Sequence, residues 1–545
     1  MKRIAAVLIV ISAAAVQAQE ARVIVSDGMA ENARAGLWLQ QEGFVEVIGA
    51  EGLFADRDLG TGDFRVRARV RLPDTTASGA ALQLGDTFFG FDGPSQRAHI
   101  SGRLVGARHI PLNSGPMATR TWVDLVVTRS RSHMAFSMDG DTLYSVRSLA
   151  PVGRVGVTFA ALGRLTPDPA TLHVYELSIT GRLHDPGTIV PGGYSLPVID
   201  LADETHRQVL VDREPDQYLG HPTTVLLDDG RTLITVYPKG HGRGAVVMKK
   251  SLDGGLTWTD RLPVPDNWAT SQEVPTLFPV TDRQGQQRLI MFSGLYPIRM
   301  AVSEDEGETW TDLEPIGDYG GIVAMSEVVR LSGGDYLAFF HDDGRFINGR
   351  EEERGQFFVY QIRSSDGGLT WSRPEVVVTH PEADLCEPGV IRSPDGHQLA
   401  MLLRENSRRF NSFLTVSDDE GATWSPPVEL PGALTGDRHQ AVYGPDGHLF
   451  ISFRDRTHVS PTWGDWVGWV GSYEDIVLGR EGQYRVRLMD NHQAADTAYP
   501  GVELLPDGTV VTTTYGHWTP GEPPYIMSVR FSFDELDEKA AAKRP

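Results

Sequence analysis

At 545 residues, with 40% hydrophobic and 22% charged positions, the chain is long enough for at least two domains with sizeable cores, and its composition excludes a mostly disordered or fibrous protein. Lys and Arg number 50 against 72 Asp and Glu, a formal charge of −22, and no Lys/Arg-rich run is present, which excludes a general nucleic-acid binder. Charge is screened within about 8 Å at physiological salt, so an acidic total still permits a locally basic pocket for a small anion.

The first 20 residues read as an export signal: Lys2-Arg3, an apolar run from Ile4 to Ile11, then small residues to Ala18, after which cleavage is expected. The run is far shorter than the ~20 residues needed to span a bilayer, and no later segment qualifies. A signal over 1–18 and an exported mature chain, periplasmic or extracellular and without a membrane span, are therefore expected. The lone Cys386 excludes an intramolecular disulfide framework, and no Cys/His pairs stand at zinc-finger spacing.

Residues 20–185 read as short strands. Phe64 to Leu72 alternates strictly, Arg on one face and apolar residues on the other. Trp122 to Thr128, His133 to Met138 before Asp139-Gly140, and Leu172 to Thr180 continue the pattern. This succession resembles a concanavalin-like jelly roll, a β-sandwich often attached to secreted carbohydrate enzymes.

Residues 200–535 repeat themselves. Ser251 to Trp258 recurs as Ser303 to Trp310, Ser364 to Trp371 and Ser417 to Trp424, at spacings of about 52 to 61 residues. Asp and Gly suit a tight turn and Thr and Trp pin it to its neighbours, so these Asp-boxes read as structural. A strand–turn–strand unit recurs as Thr223 to Val236, Leu277 to Phe292, Val328 to Phe340, Val390 to Leu403, Ala441 to Phe453 and Val502 to Thr514. Six hairpins make an all-β, six-bladed β-propeller by count, and the charged, Ala-rich residues 536–545 are expected to be a flexible tail.

Asp-boxes on six blades resemble the sialidase (neuraminidase) superfamily over roughly 205 to 533. That resemblance implies a tyrosine nucleophile with a glutamate base and an arginine that binds the substrate carboxylate. Tyr499, before the strand leading to Pro506-Asp507-Gly508-Thr509, matches the tyrosine; Cys386-Glu387-Pro388-Gly389 followed by Leu402-Leu403-Arg404 matches the glutamate and arginine. A free tyrosine has a pKa near 10 and needs a base to attack, and a guanidinium fork offers a carboxylate two parallel hydrogen bonds. The chain departs from the family pattern at three places. Leu219-Gly220-His221-Pro222 stands where an Arg-Ile-Pro is expected, the loop Tyr237 to Gly244 lacks the acid/base aspartate, and Gly464-Asp465-Trp466 stands where a further arginine is expected.

Other polar residues occupy equivalent hairpin ends. His221, Glu273, Glu387, Arg438-His439 and Tyr499 precede first strands; His341-Asp342-Asp343, Arg404, Arg454-Asp455 and His517 follow second strands. Converging at one end of a propeller, they would form an Arg/His-rich pocket for an anionic glycan. The expected catalytic set is Tyr499, Glu387 and, as proton donor, His241 or Asp342; the expected substrate-binding set is Arg404, Arg454, Arg438, His221, His439 and Arg243. No metal or cofactor is assigned. The leading expectation is a secreted exo-glycosidase acting on a carboxylate-bearing sugar. Two others stand beside it: a polysaccharide lyase using Tyr and His on uronates, and a non-catalytic glycan-binding protein with Trp463, Trp466, Trp469 and Trp518 near the channel.

Overall fold

The computed structural model describes residues 20–543, except 35–36, 49–51, 61, 74–78, 93–96, 106–107, 113, 115–120, 160–170, 189–191 and 348–354. The expected signal over 1–18 lies outside the described residues. The chain divides into two units, Met1–Ile189 and Val190–Pro545. Among the described residues, no helix is long and apolar enough to cross a membrane.

In the first unit, alternation sends successive side chains of Phe64–Arg71 to opposite faces, so Val66, Ala68 and Val70 are fully buried and the arginines point outward. Arg67 meets Asp124 and Glu176 there, at 3.5 and 3.6 Å. Among the described residues, this strand lies inside a nine-stranded antiparallel sheet, between Val123–Ser130 and Thr171–Gly181. A second antiparallel sheet, of seven strands among the described residues, adds Leu82, Phe89 and Ile100 to the same core as Val66 and Val127.

The second unit is a ring of six sheets, a six-bladed propeller. Its innermost strands are, in chain order, Thr223–Leu226, Thr276–Thr281, Ile322–Arg330, Leu385–Arg392, Gly436–Tyr443 and Gly501–Leu504, and each lies beside the next, the last beside the first. Every one turns back into an antiparallel second strand, with Thr223 opposite Val236, Val390 opposite Met401 and Val502 opposite Thr512. Second strands such as Leu233–Pro238 and Leu449–Asp455 are buried along their whole length because adjacent blades cover both faces. The ring closes without a covalent link: Gln208–Asp212, from the start of the unit, pairs antiparallel with Tyr525–Ser532 as the outer strand of the last blade.

Each Asp-box caps the end of a third strand. Asp305 accepts from the Thr309 hydroxyl at 2.6 Å and its N–H at 2.9 Å, and Asp419 does the same with Thr423 at 2.6 and 2.8 Å. The threonine hydroxyls hold both carboxyls below the usual carboxylate range. Because strands alternate in direction, third strands end on the face opposite to where first strands begin, so the boxes lie away from the polar cluster described below.

The tail differs from expectation. Phe533–Ala542 is a helix, begun by Ser532, whose side chain accepts from the Glu535 N–H. Phe533, Leu536 and Ala540 stand three and four residues apart on one face and are buried in the last blade's core with Phe531. Composition signalled a frayed end, but the spacing of three apolar residues decides the outcome.

Candidate active site

Five of the six innermost strands have a non-glycine residue in the left-handed region within three residues of their start: His221 (φ 54°), Val323 (48°), Glu387 (47°), Arg438 (58°) and Ala498 (54°). Pairing register breaks at the same level, between Ile322 and Glu327, Cys386 and Gly389, and Asp437 and Gln440. Such backbone costs about 1–3 kcal/mol per residue and persists only where its surroundings fix it. Bulges of this kind re-aim side chains out of the sheet's alternation, and here they set polar groups from several blades at one end of the ring.

Tyr499, from the sixth blade, donates its hydroxyl hydrogen to Glu387 Oε1, from the fourth. Arg404, at the end of the fourth blade's second strand, reaches both: Nη1 donates to Glu387 Oε1 at 2.5 Å and stands 3.4 Å from the Tyr499 oxygen. Nη2 holds Asn406 at 2.6 Å, and Nε lies 3.3 Å from Asp437. Burial and then the Glu387 carboxylate push the Tyr499 hydroxyl well above the ordinary phenol value, so at rest it keeps its proton and offers it to Glu387. His341 lends its Nδ1 to the Glu387 N–H at 3.4 Å, and burial pushes its own pKa down to about 3, so the ring is a neutral acceptor.

Asp437, with no exposed surface, anchors the arginines. Arg408 grips it in a fork at 2.6 and 3.0 Å, and Arg454 lies 3.3 Å away. Burial alone would raise this carboxyl; the Arg404, Arg454 and Arg408 guanidiniums outweigh it and hold the group well below the carboxylate range. Arg454 also donates to the Thr497 carbonyl at 2.5 Å and the Tyr515 hydroxyl at 3.2 Å, and its guanidinium lies 5.3 Å from the centre of the Tyr499 ring.

On the other side of Tyr499, the His221 ring stands 4.5 Å from it edge to face and stacks on Tyr515 at 4.5 Å. His221 Nδ1 accepts from the Gly242 N–H at 3.1 Å, and burial holds the ring well below the usual histidine pKa, hence neutral. His241 is mostly exposed, 4.7 Å from the His221 ring; its Nδ1 meets the Tyr218 hydroxyl at 2.8 Å and lies 3.6 Å from Asp496.

The structure thus brings together Tyr499, Glu387, Arg404, Arg454 and His221, with His241 at their edge. It places the other sequence-predicted residues around or away from this group. Arg438 is buried and donates to the Ser326 carbonyl at 2.7 Å, and its charge acts first on Glu327 in the third blade and then on Glu387 and Tyr499. His439 points the other way, onto the Leu434 carbonyl at 2.9 Å, and burial brings its pKa to about 4. The Asp342 carboxylate accepts from the Phe346 and Ile347 N–H groups at 3.1 and 3.0 Å, which makes it the clasp of its own turn. Arg243 is exposed on the loop next to Gly242. Of the tryptophans, Trp466 and Trp469 are fully buried and Trp518 is packed in the core; Trp463 is exposed, with Arg456 over its ring at 4.8 Å. Sequence reasoning missed Asp437, Tyr218, Tyr515 and Asp496. The density of arginine near strand ends was the one available signal for the first; the others carry none.

Residues 302–458 match the family model described as a BNR repeat-like domain. Among curated proteins none matches the chain in sequence. Among solved structures, the chain is similar to a leech intramolecular trans-sialidase (13% identity, 94% of this chain and 100% of that one, TM-score 0.44). It is similar also to the NanB sialidase of Streptococcus pneumoniae (12%, 90% and 99%, TM-score 0.43) and to an alpha-L-arabinanase of Penicillium chrysogenum (16%, 60% and 98%, TM-score 0.44). Residues 302–458, with three of the four Asp-boxes, thus match a BNR repeat-like domain, and they lie within the six-bladed ring.

Proposed function

We propose that the propeller is a glycosidase that attacks the anomeric carbon of a carboxylate-bearing sugar with Tyr499. The observation that carries this reading is the buried hydrogen bond from Tyr499 to Glu387, with Arg404 touching both oxygens. As the Tyr499 oxygen bonds to the anomeric carbon, its proton passes to Glu387, and the bond to the departing oxygen breaks as that oxygen takes up a proton. Water then attacks the same carbon, the tyrosyl bond breaks, and the proton returns from Glu387 to Tyr499. Arg404 and Arg454, fixed in orientation by Asp437, supply the positive charge that favours an anionic sugar. Export through the N-terminal segment, and a concanavalin-like sandwich in the first unit, complete the proposal.

The test is incubation with a panel of sialylated, uronate-containing and neutral glycans, reading product masses, for the wild-type protein and Tyr499→Phe. Turnover of an acidic glycan that falls on the order of a thousandfold or more in the variant, with binding retained, supports the reading; equal activity in both proteins sinks it. One observation fits a lyase as second reading: Tyr499, a group that can exchange a proton, is 3.4 Å from Arg404 Nη1, a group that can neutralise a uronate carboxylate. An unsaturated uronate absorbing in the ultraviolet identifies that outcome.

A further inference from the structure

We propose that Glu273, from the second blade, is the catalytic acid that protonates the departing glycosidic oxygen. This rests on the glycosidase reading above, whose expected proton donors were His241 and Asp342.

Position is the first support. Glu273 stands just before Thr276–Thr281, at the level where His221, Glu387 and Tyr499 enter the cluster from their own blades. A Cβ added at Gly242 would lie 3.4 Å from Glu273 Oε1. The Gly242 N–H is the donor to His221 Nδ1, and His221 in turn packs on Tyr499. The other oxygen, Oε2, accepts from the Val323 N–H at 3.4 Å, and Val323 shares the apolar cluster of Tyr499 and Tyr515. The carboxyl is therefore next to the nucleophile's own neighbours on two sides. Gly294 gives it room, since a Cβ there would come within 2.9 Å of Glu273 Cγ.

Partners are the second support. Glu387 is engaged by Arg404 and Tyr499, Asp437 by three arginines, and Asp496 by Tyr218, Tyr515 and His517. The hydrogen bonds to Glu273 come from two backbone N–H groups, Val274 at 2.9 Å and Val323 at 3.4 Å. The charged groups that act on it are Glu387 and Arg345. Burial raises its pKa, Glu387 adds to the rise, and Arg345 and the two N–H groups oppose it. Two carboxyls whose surroundings differ in this way, one hydrogen-bonded only by backbone N–H groups and the other gripped by an arginine and a tyrosine, are the pairing an acid and a base need. His241 lacks these features: it is on the solvent side of His221, and Tyr218 occupies its Nδ1. Asp342 is committed to its turn.

In the first step Glu273 gives its proton to the glycosidic oxygen as that C–O bond breaks, and the aglycone leaves as an alcohol. In the second, Glu273 takes a proton from the water that attacks the anomeric carbon, and is restored.

The experiment compares wild type, Tyr499→Phe, Glu273→Gln and His241→Gln on the 4-methylumbelliferyl and the methyl glycosides of N-acetylneuraminic and glucuronic acids. Methylumbelliferone departs without protonation and methanol does not, so loss of the acid is expected to cost on the order of 10²–10⁴-fold on methyl glycosides and under about tenfold on the fluorogenic ones. The basic limb of the kcat/KM profile should disappear with it. Glu273→Gln losing equally on both substrates, or that leaving-group dependence appearing in His241→Gln instead, overturns the assignment while leaving Tyr499 in place. Absence of wild-type turnover, or Tyr499→Phe at wild-type rate, sinks the glycosidase reading and the acid role with it. Infrared difference spectra of wild type minus Glu273→Gln at neutral pH provide a readout independent of turnover: a protonated-carboxyl band is expected, and a carboxylate band in its place overturns the proposal.

Discussion

Three guanidinium groups converge on Asp437, which carries no exposed surface of its own. Removing one partner of such a buried cluster leaves uncompensated charge, and the loss is typically about 3–5 kcal/mol. Asp437→Asn keeps the size and hydrogen-bonding atoms and removes the charge. Denaturant melts should show destabilisation of that order, and a change under ~1 kcal/mol would mean that solvent takes over the carboxylate's role. Individual residues were unevenly legible in the sequence. Tyr499, Glu387 and Arg404 could be matched because each sits at a fixed offset from a hairpin turn. Arg438 and His439, adjacent and both polar, looked equivalent, yet the left-handed backbone at 438 sends one toward the third blade and leaves the other under its own sheet. Asp437 owes its importance to side chains arriving from positions 404, 408 and 454, a convergence no local pattern encodes.

Among the elements, hairpins and Asp-boxes were plain in the sequence because turn chemistry is local: an Asp, a Gly and a Thr within five residues fix the geometry. The closing helix Phe533–Ala542 was hidden by its composition, with five charged residues among ten. Leu536 has no exposed surface in this helix. Leu536→Ala should cost about 2–5 kcal/mol, as a buried large-to-small change does. Thermal melts check it; a shift within error would mean the helix is frayed in solution, as the sequence alone suggested.

At the scale of the molecule, carboxyls inside the ring add a pH term to stability. Burial pushes Glu503 from its ordinary value of 4.5 up to about 7, and burial takes Glu327 to about 7 against the pull of Arg438. The folded state then holds protons that the unfolded chain releases between about pH 4.5 and 7, so their contribution is complete below about 4.5, falls as pH rises through that window and is flat above it. Glu503→Gln removes one such loss. Its Tm should exceed the wild type's at pH 8 and approach it near pH 4; the same gap at both values would refute the linkage.

The outer strand of the last blade, Gln208–Asp212, comes from the beginning of the propeller, while its partner Tyr525–Ser532 comes from the end. A ribosome therefore makes this strand roughly 320 residues before the strand it must pair with, and pairings so distant fold slowly. Until the last blade emerges, the half-built ring presents unpaired strand edges, which other chains can capture. Nascent copies depend on whatever keeps those edges apart.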